Sequence, residues 1–357
     1  LGTGNNDNSL VPLLVPGLTG IKAIAAGYTH SMAIKSDSTL LAWGSNGSGE
    51  LGNGGNSASS SPVAVTGLNR VIAISCGYGF SMALRADGSV WAWGYNSFGE
   101  LGDSSNSNRN VPFQVKKLTG IKAIDCGAWH ALALKSDGSI WTWGKNEWGQ
   151  LGDGTNVDRN VPQRLNSLTN IESISAGWEH SIALNSGGFA WTWGENGHGS
   201  LGNGNSDNQN VPVLVSGTNG FLAVAAGRGH SIAIRTDGSG RAWGDNGNGQ
   251  LGTGGTFSST VAVPMPGLCQ VLTQVETDEA ELKMGLFPNP ANSFMEVRTE
   301  DLAEIHYFLL DALGRVCLSG ESAKPNFRIS LENLSSGVYR LQLTSGENRF
   351  QKLVVVE

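Results

Sequence analysis

Apolar and polar positions alternate in short runs over the first three-quarters of the chain, and the runs return every fifty residues. In one copy, Val71 to Cys76 is a first run, Phe80 to Arg85 a second, Val90 to Gly94 a third, and Pro112 to Val115 a fourth after a polar loop. Runs of four to six residues with a period of two predict β-strands. Asp87-Gly88 separates the second run from the third, and such a pair predicts a tight hairpin with positive φ at both turn residues. Each unit therefore reads as four antiparallel strands, with no helix.

The period holds without slippage. Trp43, Trp93, Trp143, Trp193 and Trp243 are each followed by Gly, Asn46, Asn96, Asn146, Asn196 and Asn246 stand three residues further on, and Leu-Gly pairs begin at 1, 51, 101, 151, 201 and 251. Together they spell W-G-x-N-x-x-G-[EQS]-L-G. Self-similarity at such a period marks a repeat architecture. Radial repetition of four-stranded sheets gives an all-β propeller with short, protected edges, whereas a linear stack would leave its end units uncapped. Five copies of the first three strands stand against six of the fourth, from near Val11 to near Val263. The unequal count and the start inside a unit predict an N-terminal truncation from a longer protein.

Composition narrows the function classes. Glycine supplies 51 of 357 residues, about twice the usual share of roughly 7%, but without a three-residue period, so it is assigned to turns. No run approaches the roughly 18 apolar residues of a membrane span. The net charge of −7 is uneven: residues 1–268 hold 15 basic and 17 acidic side chains, or −2, and residues 269–357 hold 8 and 13, or −5. A near-neutral repeat lacks the basic stripe that displaces phosphate counterions, so no nucleic-acid partner is expected. Four cysteines are too few and too scattered for a disulfide scaffold or a zinc ribbon. Cys76 and Cys126 share a position with Ala26, Ala176 and Ala226, where a small buried side chain is the requirement.

The recurrent polar residues read as architecture. His30, His130, His180 and His230 occupy one repeat position, with Phe80 in the second unit. A catalytic or metal site needs unlike residues in one constellation, so each imidazole is expected to bond a neighbouring backbone group. Ser31, Ser81, Ser181 and Ser231 follow them, but Ala131 fills that place in the third unit and no carboxylate recurs to complete a triad. The tryptophans at 43, 93, 143, 193 and 243 are expected to pack between sheets with their N–H on a carbonyl, and Trp91, Trp141 and Trp191 also read as core. The Asn-rich loops lack the acidic spacing of a calcium site. No metal, cofactor or enzymatic activity is expected.

Variation is more informative than recurrence. Antiparallel order puts the G-x-x-H link and the W-G-x-N-x-x-G loop at the same end of each sheet. The variable positions there supply Tyr28, Tyr78, Phe98, Trp129, Trp148, Trp178, Glu179, His198 and Arg228. Aromatic residues and Arg match the composition of binding hot spots, so this rim is the candidate binding surface.

The W-G-x-N signature, together with G-x-x-H-S-x-A-[LI] at 27–34, 177–184 and 227–234, resembles the regulator of chromosome condensation repeat family over residues 1–268. The resemblance implies a β-propeller, usually of seven blades. Residues 269–284 read as a charged linker. Beyond them, alternating runs at 294–298, 305–311, 315–319, 327–331, 338–344 and 350–356 predict a small β-sandwich of immunoglobulin-like type. The ordered motifs L-F-P-N-P-A, D-A-L-G-R-V, L-S-S-G-V-Y-R-L and Q-K-L-V-V-V over 285–357 resemble the type A C-terminal sorting domain of the type IX secretion system of Bacteroidota, on Pro288, Asn289, Pro290, Gly314, Gly337, Tyr339 and Lys352. That resemblance implies export, recognition by the secretion machinery and its sortase, and release or attachment at the outer-membrane surface.

The two resemblances constrain each other. The eukaryotic prototype of the repeat family is a guanine-nucleotide exchange factor that binds chromatin, and an exported bacterial protein meets neither partner. The leading expectation is a non-enzymatic secreted or cell-surface binding protein whose rim recognises an extracellular protein or glycan. The alternatives are a structural spacer or adhesin segment of a larger surface protein and, behind it, an exchange-factor-like activity.

Overall fold

Alternation at period two puts one side chain in two on each face of a strand, and every fifty-residue unit of this chain folds accordingly into a four-stranded antiparallel sheet. In the first, β1 (Ile21–Ala26), β2 (His30–Lys35), β3 (Leu40–Gly44) and β4 (Ser59–Ala64) pair in sequence order. Four further sheets repeat the pattern, beginning at Val71–Cys76, Ile121–Cys126, Ile171–Ala176 and Phe221–Ala226. These come from a computed structural model, which describes residues 1–217, 219–265, 285–287, 291, 293–299, 304–310, 316–345 and 348–356. The chain divides into two units, Leu1–Leu272 and Thr273–Glu357.

The hairpin turns differ from the expected type. Gly88, Gly138, Gly188 and Gly238 have φ between 75° and 80°, but the residues before them, Asp87, Asp137, Gly187 and Asp237, do not share it. Asp87 instead accepts hydrogen bonds from Ser89 N–H at 3.0 Å and Ser89 Oγ–H at 2.6 Å. The backbone closes a three-residue loop through Arg85 N–H to Ser89 O at 3.0 Å. One left-handed residue is enough for a loop of that length.

Each sheet buries one face against the next. Met32, Ile34, Leu40 and Ala42 of the first sheet form a single core with Val71, Cys76, Ala83 and Trp93 of the second, and the pattern recurs between later sheets. The interleaved tryptophan spans the interface: Trp93, Trp143 and Trp193 donate Nε1–H to Glu50 O, Glu100 O and Gln150 O at 2.7 to 2.8 Å. Trp243 is fully buried but its N–H has no such partner. Within each sheet the signature asparagine holds the long loop. Asn96 donates to Ser105 O and Ser107 O and accepts Leu101 N–H.

The histidines bond across sheets to a side chain, not to the backbone as expected. His30 Nε2 lies 2.9 Å from Ser81 Oγ, His130 Nε2 2.9 Å from Ser181 Oγ and His180 Nε2 3.0 Å from Ser231 Oγ. Each of those hydroxyls donates its hydrogen to a carbonyl of the preceding loop, at Glu50, Gln150 and Ser200. The imidazole must therefore be the donor, as the Nε2–H tautomer, and Nδ1 is left unpartnered in His30 and His130. This pairing explains two irregularities together. Phe80, which lacks the donor, faces the third unit, and that is the unit with Ala131 in place of the acceptor serine. Removing both partners leaves no buried polar group unsatisfied.

The last sheet of the series is less covered than the others. Ile232 and Ile234 are 37% and 47% exposed, while their counterparts Ile182 and Leu184 are buried, and His230 is only half-buried. At the other end residues 1–18 hold no strand, and Gly2 approaches the Trp43 indole as Gly52 approaches that of Trp93. The run near Val11 is not a strand. A fourth strand forms by pairing with a third, and no described third strand lies beside it.

The C-terminal unit is a small sandwich. One sheet joins Gly285–Phe287, Phe294–Arg298 and Asn326–Ser330, and the other orders Val316–Ser322, Ile305–Leu310, Gly337–Ser345 and Asn348–Val356. Their inward residues, including Met295, Val297, Leu309, Ile329, Leu341 and Val354, form one core. Tyr339 is buried and donates its hydroxyl to Ser335 O at 2.8 Å. Gly337 opens the strand and Lys352 is exposed on the last one. Pro288, Asn289, Pro290 and Gly314 lie outside the described residues.

Burial depresses the histidines, to about 4 for His30, about 3 for His130 and about 4 for His180, the last two also repelled by His180 and His230 respectively. A lowered histidine stabilises the fold fully above its unfolded value of about 6.5, and that contribution is lost as the pH falls toward 4. Each buried ring costs on the order of 3 kcal/mol by pH 4. The double substitution His130→Phe with Ser181→Ala, which copies the Phe80–Ala131 pair, should lower the acid-unfolding midpoint while changing stability at pH 7.5 by about 1 kcal/mol or less. Ser181→Ala alone strands a buried N–H and should cost about 1–3 kcal/mol. Urea unfolding followed by circular dichroism across pH 4 to 8 measures both.

Candidate functional site

The innermost strands of the five sheets end together. His130 pairs with Gly144 across the second and third strands of its sheet, and Lys145 N–H donates to Trp129 O at 2.8 Å. The G-x-x-H link and the W-G-x-N loop therefore share one end, as the strand order requires. Successive links are stitched by backbone bonds: Tyr28 N–H to Gly77 O, Tyr78 N–H to Ala128 O, Ala128 N–H to Trp178 O and Trp178 N–H to Gly227 O, at 3.0 to 3.4 Å. The glycine that opens each link is forced by this approach. A Cβ on Gly127 would stand 2.6 Å from Gly177 O and collide with the His130 ring.

The variable residues sit on that frame as one aromatic cluster. Tyr28 and Tyr78 stack at 4.4 Å with planes 16° apart, and Trp178 meets both edge-on at 5.6 Å. Tyr78 also lies 4.3 Å from Trp129, which contacts Tyr95 at 5.1 Å and Phe98 at 6.0 Å. The Arg228 guanidinium covers the Trp178 ring at 5.0 Å, and the Lys145 ammonium lies 5.5 Å from that of Phe98. Glu179 pairs with Lys145 at 3.3 Å. Tyr28 is 59% exposed, and the other rings are partly buried. At the convergence of the five links Tyr28, Tyr78, Trp178 and Arg228 border a cup of about 320 Å³, floored by glycines and by Ala26, Cys76, Cys126, Ala176 and Ala226.

Seven of the nine candidate rim residues are thereby brought together. Trp148 and His198 are not: neither makes a ring contact within the cluster, and His198 is exposed. Two residues escaped the sequence reading. Tyr95 occupies the variable place in W-G-x-N that Ser45, Lys145, Glu195 and Asp245 fill elsewhere, so its aromatic character was the available signal. Asp125 stands where the other units have Ala25, Ser75, Ser175 and Ala225. Its carboxylate accepts Ser75 Oγ–H at 2.9 Å, Cys126 N–H at 3.0 Å and Ala176 N–H at 2.9 Å, tying three sheets beneath the cup. Burial raises its pKa against those bonds.

Glu100 lies in the same loop as Phe98 and is fully buried. Its Oε2 accepts Phe98 N–H at 2.9 Å, while Oε1 has no partner. Desolvation pushes this carboxyl up to about 8, overcoming its backbone hydrogen bonds, and Asp158 adds to the rise. Gln150, the counterpart in the next unit, makes the equivalent bond to Trp148 N–H at 3.0 Å as a neutral amide. Among the described residues no group of three His, Cys, Asp or Glu could hold a metal ion, and no helix is long and apolar enough to cross a membrane.

A family model described as RCC1-like domain matches residues 1–280, and one described as secretion system C-terminal sorting domain matches 285–357. Among solved structures, human WBSCR16 is similar with a TM-score of 0.64 at 20% identity, covering 92% of this chain and 87% of that one. Prp20p of Saccharomyces cerevisiae aligns with a TM-score of 0.47 at 23% identity over 71% of this chain and 80% of that one.

A carboxyl whose folded pKa is raised from 4.5 to about 8 stabilises the fold fully below 4.5, and that contribution is lost as the pH rises toward 8. At pH 7.5 the loss is on the order of 3–4 kcal/mol. In Glu100→Gln that loss should vanish, so the stability difference between variant and wild type should grow in the variant's favour from pH 5 to pH 8. Urea titrations at those pH values test it; a constant difference would mean that Glu100 ionises freely in the fold.

Proposed function

Because this chain belongs to the RCC1-like family and ends in a type IX sorting domain, it is a secreted surface protein, and we propose that its propeller is a recognition module without catalytic activity. The observation that carries this reading is the contrast between the two kinds of position. The recurrent Trp and Asn and three of the four recurrent His are buried in the frame, whereas the non-recurrent aromatics converge at one end and remain partly open. Rigid aromatic area presented on a fixed frame is the usual make-up of a binding hot spot, because little side-chain entropy is lost on contact. The partner is an extracellular protein or glycan, met after export through the secretion machinery and its sortase, with the mature protein released or held at the outer-membrane surface.

Two experiments test this. Glycan and protein arrays probed with the full chain should show ligands whose capture falls about thirtyfold in Trp129→Ala/Trp178→Ala, the effect of losing about 2 kcal/mol at a hot spot. Trp148→Ala/His198→Ala, outside the cluster, should leave capture intact, and unchanged capture by the first variant with an unaltered circular dichroism spectrum would overturn the reading. A reporter carrying a signal peptide and residues 285–357 should leave the cells of a host with a type IX system and stay in the periplasm without them.

A further inference from the structure

The cup at the end of the inner strands has a sharper chemistry than aromatic area alone, and the ligand class follows from what lines it. Its wall is Tyr28, Tyr78 and Trp178, and its floor is glycine and small side chains. Arg228 is the one charged residue among those that line it. The guanidinium is fixed by its seat on Trp178 at 5.0 Å. Among the described residues it has no carboxylate within ion-pairing distance and no side-chain hydrogen bond, whereas Lys145 of the aromatic cluster is paired twice, with Glu147 and Glu179. An exposed, pre-oriented guanidinium without a counter-ion is suited to bidentate recognition of a carboxylate.

We infer that the cup binds an acidic sugar residue, a uronic acid, with the pyranose face against the exposed Tyr28 ring, beside Trp178, and the carboxylate on Arg228. This rests on the recognition reading above and names its ligand class. The volume of about 320 Å³ lies at the lower end of ligand pockets, roughly 300–1,000 Å³, and fits one ring rather than a folded peptide. A neutral sugar would need carboxylate or amide side chains for its vicinal hydroxyls, and no Asn, Asp, Gln or Glu lines the cup. A cationic ligand is opposed by Arg228 itself, which already occupies the face of Trp178.

The test is titration calorimetry of the full chain with an oligogalacturonate, a neutral oligogalactose of equal length, and poly-glutamate. Wild type should bind the oligouronate at least about tenfold more tightly than the neutral sugar, the difference one charge-assisted pair supplies. Arg228→Gln should erase that preference, Arg228→Lys should keep part of it, and Trp178→Ala should weaken both sugars. Equal affinity for acidic and neutral sugars, an unaffected Arg228→Gln, tighter binding of poly-glutamate, or no binding of oligouronate would each overturn the assignment. Binding of a neutral sugar or an acidic peptide that is lost in Trp178→Ala would leave the recognition reading standing, whereas array ligands insensitive to Trp178 and Trp129 would remove both.

Discussion

A sheet of this repeat cannot bury its own second face, and the rest of the structure depends on that. The apolar residues of one unit reach the indole and small side chains of the next, and the interface is closed by two polar contacts that are themselves shared between units. A tryptophan N–H and a serine hydroxyl converge on one loop carbonyl, and the serine in turn receives the histidine of the preceding sheet. A donor left without its acceptor at such a seam is costly. Four of the five units keep the histidine, and the unit that gives it up is followed by the one that gives up the serine.

Because the seam is made of recurrent residues, function is left to positions that the seam does not use. The short link between the first two strands is held by its glycine, its histidine and backbone bonds to the next link, so the two residues between are free to vary. They converge on the axis and become neighbours across sheets. Tyr28 comes from the first unit and Trp178 from the fourth, yet their ring centroids are 5.6 Å apart. A rigid frame that brings distant loop residues together is how repeat folds build recognition surfaces on an invariant scaffold.

The same frame sets the surroundings of two desolvated carboxyl groups, Asp125 and Glu100, whose pKa values are both raised. Asp125 receives hydrogen bonds from two neighbouring sheets and from the Cys126 N–H of its own strand, which act against its desolvation without cancelling it. Glu100 has one oxygen bonded to its own loop and one bonded to nothing, so it stays neutral far above the ordinary carboxylate range.

The strands, their order and the shared end of the two loops were legible in the sequence, because period-two alternation and an unbroken fifty-residue repeat leave little freedom in how each unit pairs. In the C-terminal unit the run at 294–298 appears as Phe294–Arg298 without displacement. What pattern alone could not reach were contacts between residues about fifty positions apart. The sequence placed a histidine and a serine in each copy, but only packing of consecutive sheets made His30 the partner of Ser81 and so turned the exceptions Phe80 and Ala131 into a pair. It marked Trp148 and His198 as rim residues equal to Trp129, and only the ring contacts of the folded chain, which reach Phe98 but neither of these two, separated them from the cluster. Asp125 went unremarked in the sequence, and only the meeting of three sheets around it gave it a role. Local periodicity determines the element, because it depends on backbone geometry within a few residues; partnership across the propeller depends on how whole sheets come together in space, which no single window of sequence contains.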